Sequence, residues 1–325
     1  MDSAALNDIA RKLVSPGKGL LAADESTKTI TKRFADLGLT STPELNKKYR
    51  ALLFNTNGIE NYLSGVILFD ESVRQELNKI LEAKGIIPGI KVDEGLESFN
   101  GTPEEVTKGL ETLDSRLKEY AQLGLKFSKW RGVFKITDMY PSKPFYEENL
   151  GRMAKFAKIS QENGIVPIVE PEVLLEGNHT TTRSSETLDE TLKILFEKLN
   201  AEKVDLKGLI VKTSMALPGP DSGVKALPLE VSNATIRALT RSVPPEVPGI
   251  VFLSGGQTSD EATMNLNEIQ KLKGDAPWEL SFSFSRALQE EAMKTWSGND
   301  ENISKAQEVF LNRLTKVSSA RKGEL

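Results

Sequence analysis

The feature that most constrains this chain is an alternation. Eight short apolar, β-rich runs recur along its 325 residues, separated by amphipathic segments. The runs are Gly19–Asp24, Ser64–Phe69, Ile86–Val92, Leu125–Phe134, Gly164–Val173, Leu206–Met215, Gly249–Gly256 and Trp278–Ser285. Helical patterns fill the gaps, most clearly at Glu71–Ala83, Pro103–Ala121, Tyr146–Asn163, Ser185–Leu199, Leu229–Ser242 and Ser259–Lys273. Thr102-Pro103-Glu104-Glu105 reads as a helix start, with a capping residue, a first-turn proline and early acids. Asn163-Gly164 and Gly274 suit helix ends. Strands alternating with helices mean parallel βαβ units, and eight of them predict an α/β fold closed as a (β/α)8 TIM barrel. A doubly wound open sheet is the alternative, but no Gly-x-Gly-x-x-Gly follows the first strand. No Gly-, Ser- or Pro-rich linker divides the chain, so residues 1–325 read as a single domain. It begins with a mixed-charge amphipathic helix in MDSAALNDIARKLVSPGKG and ends in a helical extension.

Composition narrows the chemistry. The chain has no cysteine, which excludes disulfides, thiolate catalysis and zinc–thiolate sites. Its single histidine, His179, cannot build a three-histidine metal site, and a Ser-His-Asp triad would have to use it. No metal and no cofactor is expected, since the lysine chemistry open to this chain needs no metal, consistent with one histidine and no cysteine. A net charge of −4 and a pI near 5.5 argue against nucleic acid as a partner. No run is long enough to span a membrane and the N-terminus lacks the apolar core of a signal peptide, so a cytoplasmic location is expected.

In such a barrel the active site forms where strands end. The first run ends in Asp24, the third reaches Lys91, and the fourth carries Lys129 and Arg131. The fifth carries Glu170 and Glu172, the sixth Lys212, the seventh Ser254-Gly255-Gly256, and the eighth leads to Arg286. Lys129/Arg131 and Glu170/Glu172 are each spaced i, i+2, so each pair points to one face of the sheet. Any one of these residues could be a structural ion pair, but so many at one rim form a site for an anionic substrate beside acid–base groups. A lysine desolvated or placed near other cations is a covalent nucleophile towards ketones and aldehydes. Lys212, after its apolar run, is the best candidate, with Lys91 and Lys129 as rivals. Gly255 and Gly256, before a helix opened by QTSDEA, suit a phosphate-binding turn, and Arg286 would add a charged contact. Lys28, Lys32 and Arg33 have a plainer reading as a solvated helix face for at least one of them.

With these residues assembled, the chain resembles the class I, Schiff-base-forming fructose-1,6-bisphosphate aldolases. The similarity runs from GKGLLAADEST to RALQ and the helix after it, through PGIKVDEG, KWRGVFKI, VPIVEPEVL and VPGIVFLSGGQ. It implies a (β/α)8 barrel, usually a homotetramer, that interconverts fructose 1,6-bisphosphate with dihydroxyacetone phosphate and glyceraldehyde 3-phosphate. It makes Lys212 the Schiff-base nucleophile, Glu170 the acid–base for carbinolamine formation and dehydration, and Asp24 the acceptor of the C4 hydroxyl proton. Lys129 would assist beside the imine, with Glu172 and Arg131 holding these groups. Ser254, Gly255 and Arg286, with Gly256 in the same turn, match the cradle of the C1 phosphate. Ser26, Thr29 and Lys91 match the C6 phosphate region, with Arg33 close by.

Four departures from the family pattern stand out. The chain ends SSARKGEL and its last tyrosine is Tyr146, whereas the family commonly uses a terminal tyrosine to exchange a proton on the enamine. Phe284-Ser285 replaces the usual Tyr-Gly before Arg286, which by the resemblance alters one backbone contact to the C1 phosphate, and Thr213-Ser214 replaces Pro-Asn after Lys212. Lys28 and Glu94 are the fourth, replacing a small residue and a lysine. Three readings follow: an aldolase for fructose 1,6-bisphosphate, one preferring sedoheptulose 1,7-bisphosphate or fructose 1-phosphate, and a mainly scaffolding family member.

Overall fold

A computed structural model describes residues 3–325; Met1 and Asp2, which open the expected N-terminal helix, lie outside them. Helix α1 (Ser3–Leu13) precedes β1 (Gly19–Ala23), and α2 (Thr27–Ala35) and α3 (Pro43–Phe54) precede β2 (Leu63–Leu68). Helices α4 (Asp70–Arg74) and α5 (Leu77–Ala83) lead to β3 (Ile87–Lys91). A hairpin of β4 (Leu96–Ser98) and β5 (Glu105–Thr107) and helix α6 (Leu113–Gln122) follow. Next come β6 (Phe127–Phe134), α7 (Lys143–Glu162), β7 (Val166–Val173), α8 (Thr181–Ala201) and β8 (Ile210–Thr213). The rest is α9 (Pro228–Ser242), β9 (Gly249–Phe252), α10 (Ser259–Leu272), β10 (Glu279–Phe284), α11 (Arg286–Trp296) and α12 (Ile303–Lys322).

Eight parallel strands close a barrel in the order β1-β10-β9-β8-β7-β6-β3-β2. The expected barrel is thus borne out, and each of its strands falls on one of the eight apolar runs. The runs are apolar almost throughout because both faces are covered, by helices outside and by the packed interior inside. That interior, lined by Leu20, Ala22, Ile67, Phe127, Val166, Ile168, Ile210 and Val251, joins Leu6, Ala10, Leu13 and Val14 from α1 and the turn after it. Helix α1 therefore plugs the end where the strands begin. Gly89 makes room for the Phe127 ring, since a Cβ there would lie 2.3 Å from it. At the same end, buried Arg321 of α12 donates to Val14 O (2.7 Å) and Leu280 O (3.2 Å). The opposite end of the barrel is left open. Among the described residues, no helix is long and apolar enough to cross a membrane.

Two expected helices are corrected. Pro103–Ala121 is helical only from Leu113; its first part is strand β5 of the hairpin. The Thr102 hydroxyl donates to Phe99 O (2.7 Å) and accepts from Glu104 N (3.2 Å), and Glu104 accepts from Ser142 N (2.7 Å) and Ser142 Oγ (2.6 Å). The same residues that favour a helix start locally are used to cap a turn and to tie it to the loop before α7. Glu71–Ala83 is broken at Glu76, whose φ of 63° lies in the left-handed region. The break leaves Glu71 on Arg50 and Asn46 while Leu77 and Leu81 enter the core.

Candidate active site

The open end of the barrel holds a cavity of about 320 Å³, at the lower end of the usual range for ligand pockets and open to solvent. All fourteen candidate residues line it: Asp24, Ser26, Thr29, Arg33, Lys91, Lys129, Arg131, Glu170, Glu172, Lys212, Ser254, Gly255, Gly256 and Arg286. They come from strand ends and the segments just after them, far apart in sequence, because parallel strands bring all their C-terminal ends to one rim.

At its floor the charges alternate. Lys212 Nζ, at the end of β8, lies 3.0 Å from Glu170 Oε1 on β7. Lys129 Nζ on β6 lies 3.3 Å from Glu170 Oε2 and 2.7 Å from Asp24 Oδ2. Lys129, Glu170 and Lys212 are 3–4% exposed, so their ion pairs act with little solvent screening. Burial alone would raise the Asp24 carboxyl, but Lys129, then Lys212 and Lys91, overcome it and hold it at about 2. Glu170 is shifted the same way: burial opposes its charge, and Lys212, Lys129 and Arg131 together hold it below its ordinary value. Burial would lower Lys129, yet Asp24, Glu170 and Asp93 raise it above the ordinary lysine range. At neutral pH the floor therefore carries ionised carboxylates locked to a protonated Lys129.

Arg131 and Glu172, two residues beyond Lys129 and Glu170, form a second ion pair nearer the mouth. Lys91 pairs with Asp93 Oδ1 at 2.6 Å. On the far side the chain leaves β9 through Gly255 and Gly256, with φ of 44° and 87°, a conformation glycine adopts without strain. This turn delivers Ser254 and both glycines to the pocket before α10, whose Thr258 and Glu261 form a capping box. Ser26 caps α2 through Thr29 N (3.4 Å), so Ser26 and Thr29 sit at the start of this short helix and Arg33 in its last turn. Among the described residues, no group of three or more His, Cys, Asp or Glu side chains is arranged to hold a metal ion.

A buried lysine thus touches a buried carboxylate at the floor of the cavity, with polar turns at its sides. The family model for class-I fructose-bisphosphate aldolase matches residues 5–325. The chain belongs to the class I fructose-bisphosphate aldolases. It is 44% identical to the cytosolic fructose-bisphosphate aldolase 4 of Arabidopsis thaliana over 316 residues, 95% of this chain and 80% of that protein. It is 43% identical to a probable class 1 fructose-bisphosphate aldolase of Xanthomonas campestris over 327 residues, 98% of each chain. The fructose-bisphosphate aldolase of Plasmodium falciparum, in a co-crystal structure with TRAP and a small-molecule inhibitor, matches with a TM-score of 0.97 at 42% identity. That match covers 99% of this chain and 95% of the other. The expectation of an aldolase, a carbon–carbon lyase of glycolysis on a TIM barrel, is borne out, and sugar phosphates are the family's substrates.

In this aldolase the pocket also brings in residues that the sequence does not mark as site candidates. Asp93 Oδ2 stands 3.9 Å from Lys129 and accepts from Arg131 N at 3.4 Å. Glu25 and Ser285 line the pocket beside Arg33. The signal was present for Asp93, since an acid two residues from Lys91 on a strand end is placed to pair with it. Ser285 stands out in the sequence only as a departure from the family pattern; its partners Arg33 and Glu25 are more than 250 residues away, and Gln289 is four residues on. The departures from the family pattern have separate fates. Thr213 and Ser214 donate to Pro171 O (3.2 Å) and Val173 O (2.8 Å), tying the end of β8 to β7. Lys28 is exposed, and Glu94 lies 3.8 Å from Arg116; neither lines the pocket. Tyr146 is buried in α7 and does not line it either.

Proposed function

We infer that Lys212 is the Schiff-base nucleophile of this aldolase, acting on fructose 1,6-bisphosphate. The observation that carries the reading is the 3.0 Å contact between Lys212 Nζ and Glu170 Oε1, buried at the floor of an anion-binding pocket. Lys212 Nζ attacks the C2 carbonyl after losing a proton. Glu170, within hydrogen-bonding reach, takes that proton and returns it to the carbinolamine hydroxyl, which leaves as water. The resulting iminium draws electrons from the C3–C4 bond. Asp24, ionised by its cationic neighbours, accepts the C4 hydroxyl proton as that bond breaks and glyceraldehyde 3-phosphate leaves. Protonation of the enamine at C3 and hydrolysis of the imine then release dihydroxyacetone phosphate.

Lys129 holds Asp24 and Glu170 apart from one another's charge and stabilises developing negative charge beside the imine. Arg131 and Glu172 fix each other above it. Ser254, Gly255, Gly256 and Arg286 take the C1 phosphate, and Ser26, Thr29, Lys91 and Arg33 take the C6 phosphate. Residues 1–325 act as one barrel domain, in a cytoplasmic homotetramer; cytosolic names among the plant relatives support the location. Cleavage of fructose 1,6-bisphosphate by Lys212→Met tests the assignment. Loss of turnover with the fold intact supports it, and turnover near that of the unchanged enzyme excludes it.

A further inference from the structure

Beside the phosphate-binding residues, three donors converge on one carboxylate oxygen. Glu25 Oε1 accepts from Arg33 NH1 at 2.5 Å, Ser285 Oγ at 2.8 Å and Gln289 Nε2 at 3.1 Å. Ser285 Oγ is itself 3.1 Å from Arg33 NH2 and 3.3 Å from Gln289 Nε2. A guanidinium only donates, so the hydroxyl accepts from Arg33 and spends its single hydrogen on Glu25, while Gln289 Nε2, whose two hydrogens also serve Ala22 O and Glu25, reaches it only by a shared hydrogen. The frame behind it is fixed as well. Gln289 Nε2 donates to Ala22 O (2.7 Å), its Oε1 accepts from the Tyr49 hydroxyl (3.0 Å), and fully buried Arg50 donates to Glu25 O (2.8 Å).

Arg33 is thus held by a fork, one nitrogen on Glu25 and the other on Ser285, at the edge of the pocket it lines. Arginine side chains lose considerable rotamer freedom when they bind an anion, and a residue that holds the head in place beforehand removes part of that cost. We propose that Ser285 is a positioning residue that fixes Arg33 for the C6 phosphate, and so sets the preference for ketose bisphosphates over ketose 1-phosphates. This rests on the reading of Arg33 as part of the C6 phosphate site. The neighbouring Arg286, assigned to the C1 phosphate, has no part in the fork.

The experiment measures kcat and KM for fructose 1,6-bisphosphate and fructose 1-phosphate in the unchanged enzyme, Ser285→Ala, Arg33→Ala and the double variant, with Ser285→Gly as a second test. Thermal unfolding checks that each is folded. Ser285→Ala and Ser285→Gly are expected to raise KM for the bisphosphate about five- to tenfold. The KM for fructose 1-phosphate and both kcat values should stay within about twofold, since the substitutions keep the backbone amide at 285 and leave the side chains assigned to the C1 phosphate and the floor unchanged. Adding Ser285→Ala to Arg33→Ala should change nothing further, because the hydroxyl acts through Arg33. An equal rise for both substrates, no rise, or a full additional loss in the double variant would overturn the proposal. If Arg33→Ala itself leaves the bisphosphate KM unchanged, the assignment of Arg33 to the C6 phosphate fails along with it.

Discussion

Lys212 and Glu170 meet 3.0 Å apart across adjacent strands β8 and β7, both buried, at the end of the barrel where the strands finish. The pair gives the amine a base within reach without any chain movement. Glu170→Gln keeps the shape and a hydrogen bond but removes proton transfer. It is expected to lower kcat about 10²- to 10⁴-fold with little change in KM, as steady-state kinetics would show.

A second prediction concerns acid. The Asp24 carboxyl, at about 2 against an ordinary 3.8, binds fewer protons in the folded chain than in the unfolded one. Its ionised form therefore stabilises the fold by about 2 kcal/mol above pH ~4, and that contribution is lost as pH falls towards about 2. Lys129→Met removes the leading cation from Asp24 and one of the two leading cations from Glu170, so both carboxyls rise. The acid limb of the kcat/KM profile should move to higher pH, and urea unfolding at pH 7 should show a loss of about 3 kcal/mol. An unmoved acid limb would show that neither carboxylate governs it.

Arg286→Ala separates the two phosphate sites. If Arg286 serves the C1 phosphate, KM should rise about tenfold or more for fructose 1,6-bisphosphate and fructose 1-phosphate alike. A rise for the bisphosphate alone would move Arg286 to the C6 end.

Gly89→Ala tests the barrel interior. A Cβ at this position would sit 2.3 Å from the Phe127 ring, in the layer above the plug formed by α1. Unfolding in urea should show a destabilisation of about 1–3 kcal/mol. No change would mean that the ring and strand yield freely.

Much of the fold and of the site is legible in the amino-acid sequence. Strands buried on both faces appear as unbroken apolar runs, so a charged residue at a run's end, such as Lys212 or Glu170, stands out against them. Parallel closure then brings all such ends together, which is why the candidates from the strand ends line one cavity. Ser26, Thr29 and Arg33, on the short helix after β1, came from family resemblance. What stayed hidden depended on partners remote in sequence. Thr102 to Glu105 carry a good local helix signal, yet Ser142 and the pairing of β5 with β4 decide their conformation. Ser285 is bonded to Glu25 and Arg33, at the other end of the chain. Asp93 was within reach of pattern reading, as the acid beside Lys91.

The central claim is that Lys212 forms the imine, and one measurement meets it directly. The enzyme is incubated with dihydroxyacetone phosphate, reduced with borohydride, digested, and the modified peptide sequenced by mass spectrometry. The account predicts a single reduced adduct on Lys212, absent from Lys212→Met. An adduct on Lys129 or Lys91, or none at all under turnover conditions, would contradict it.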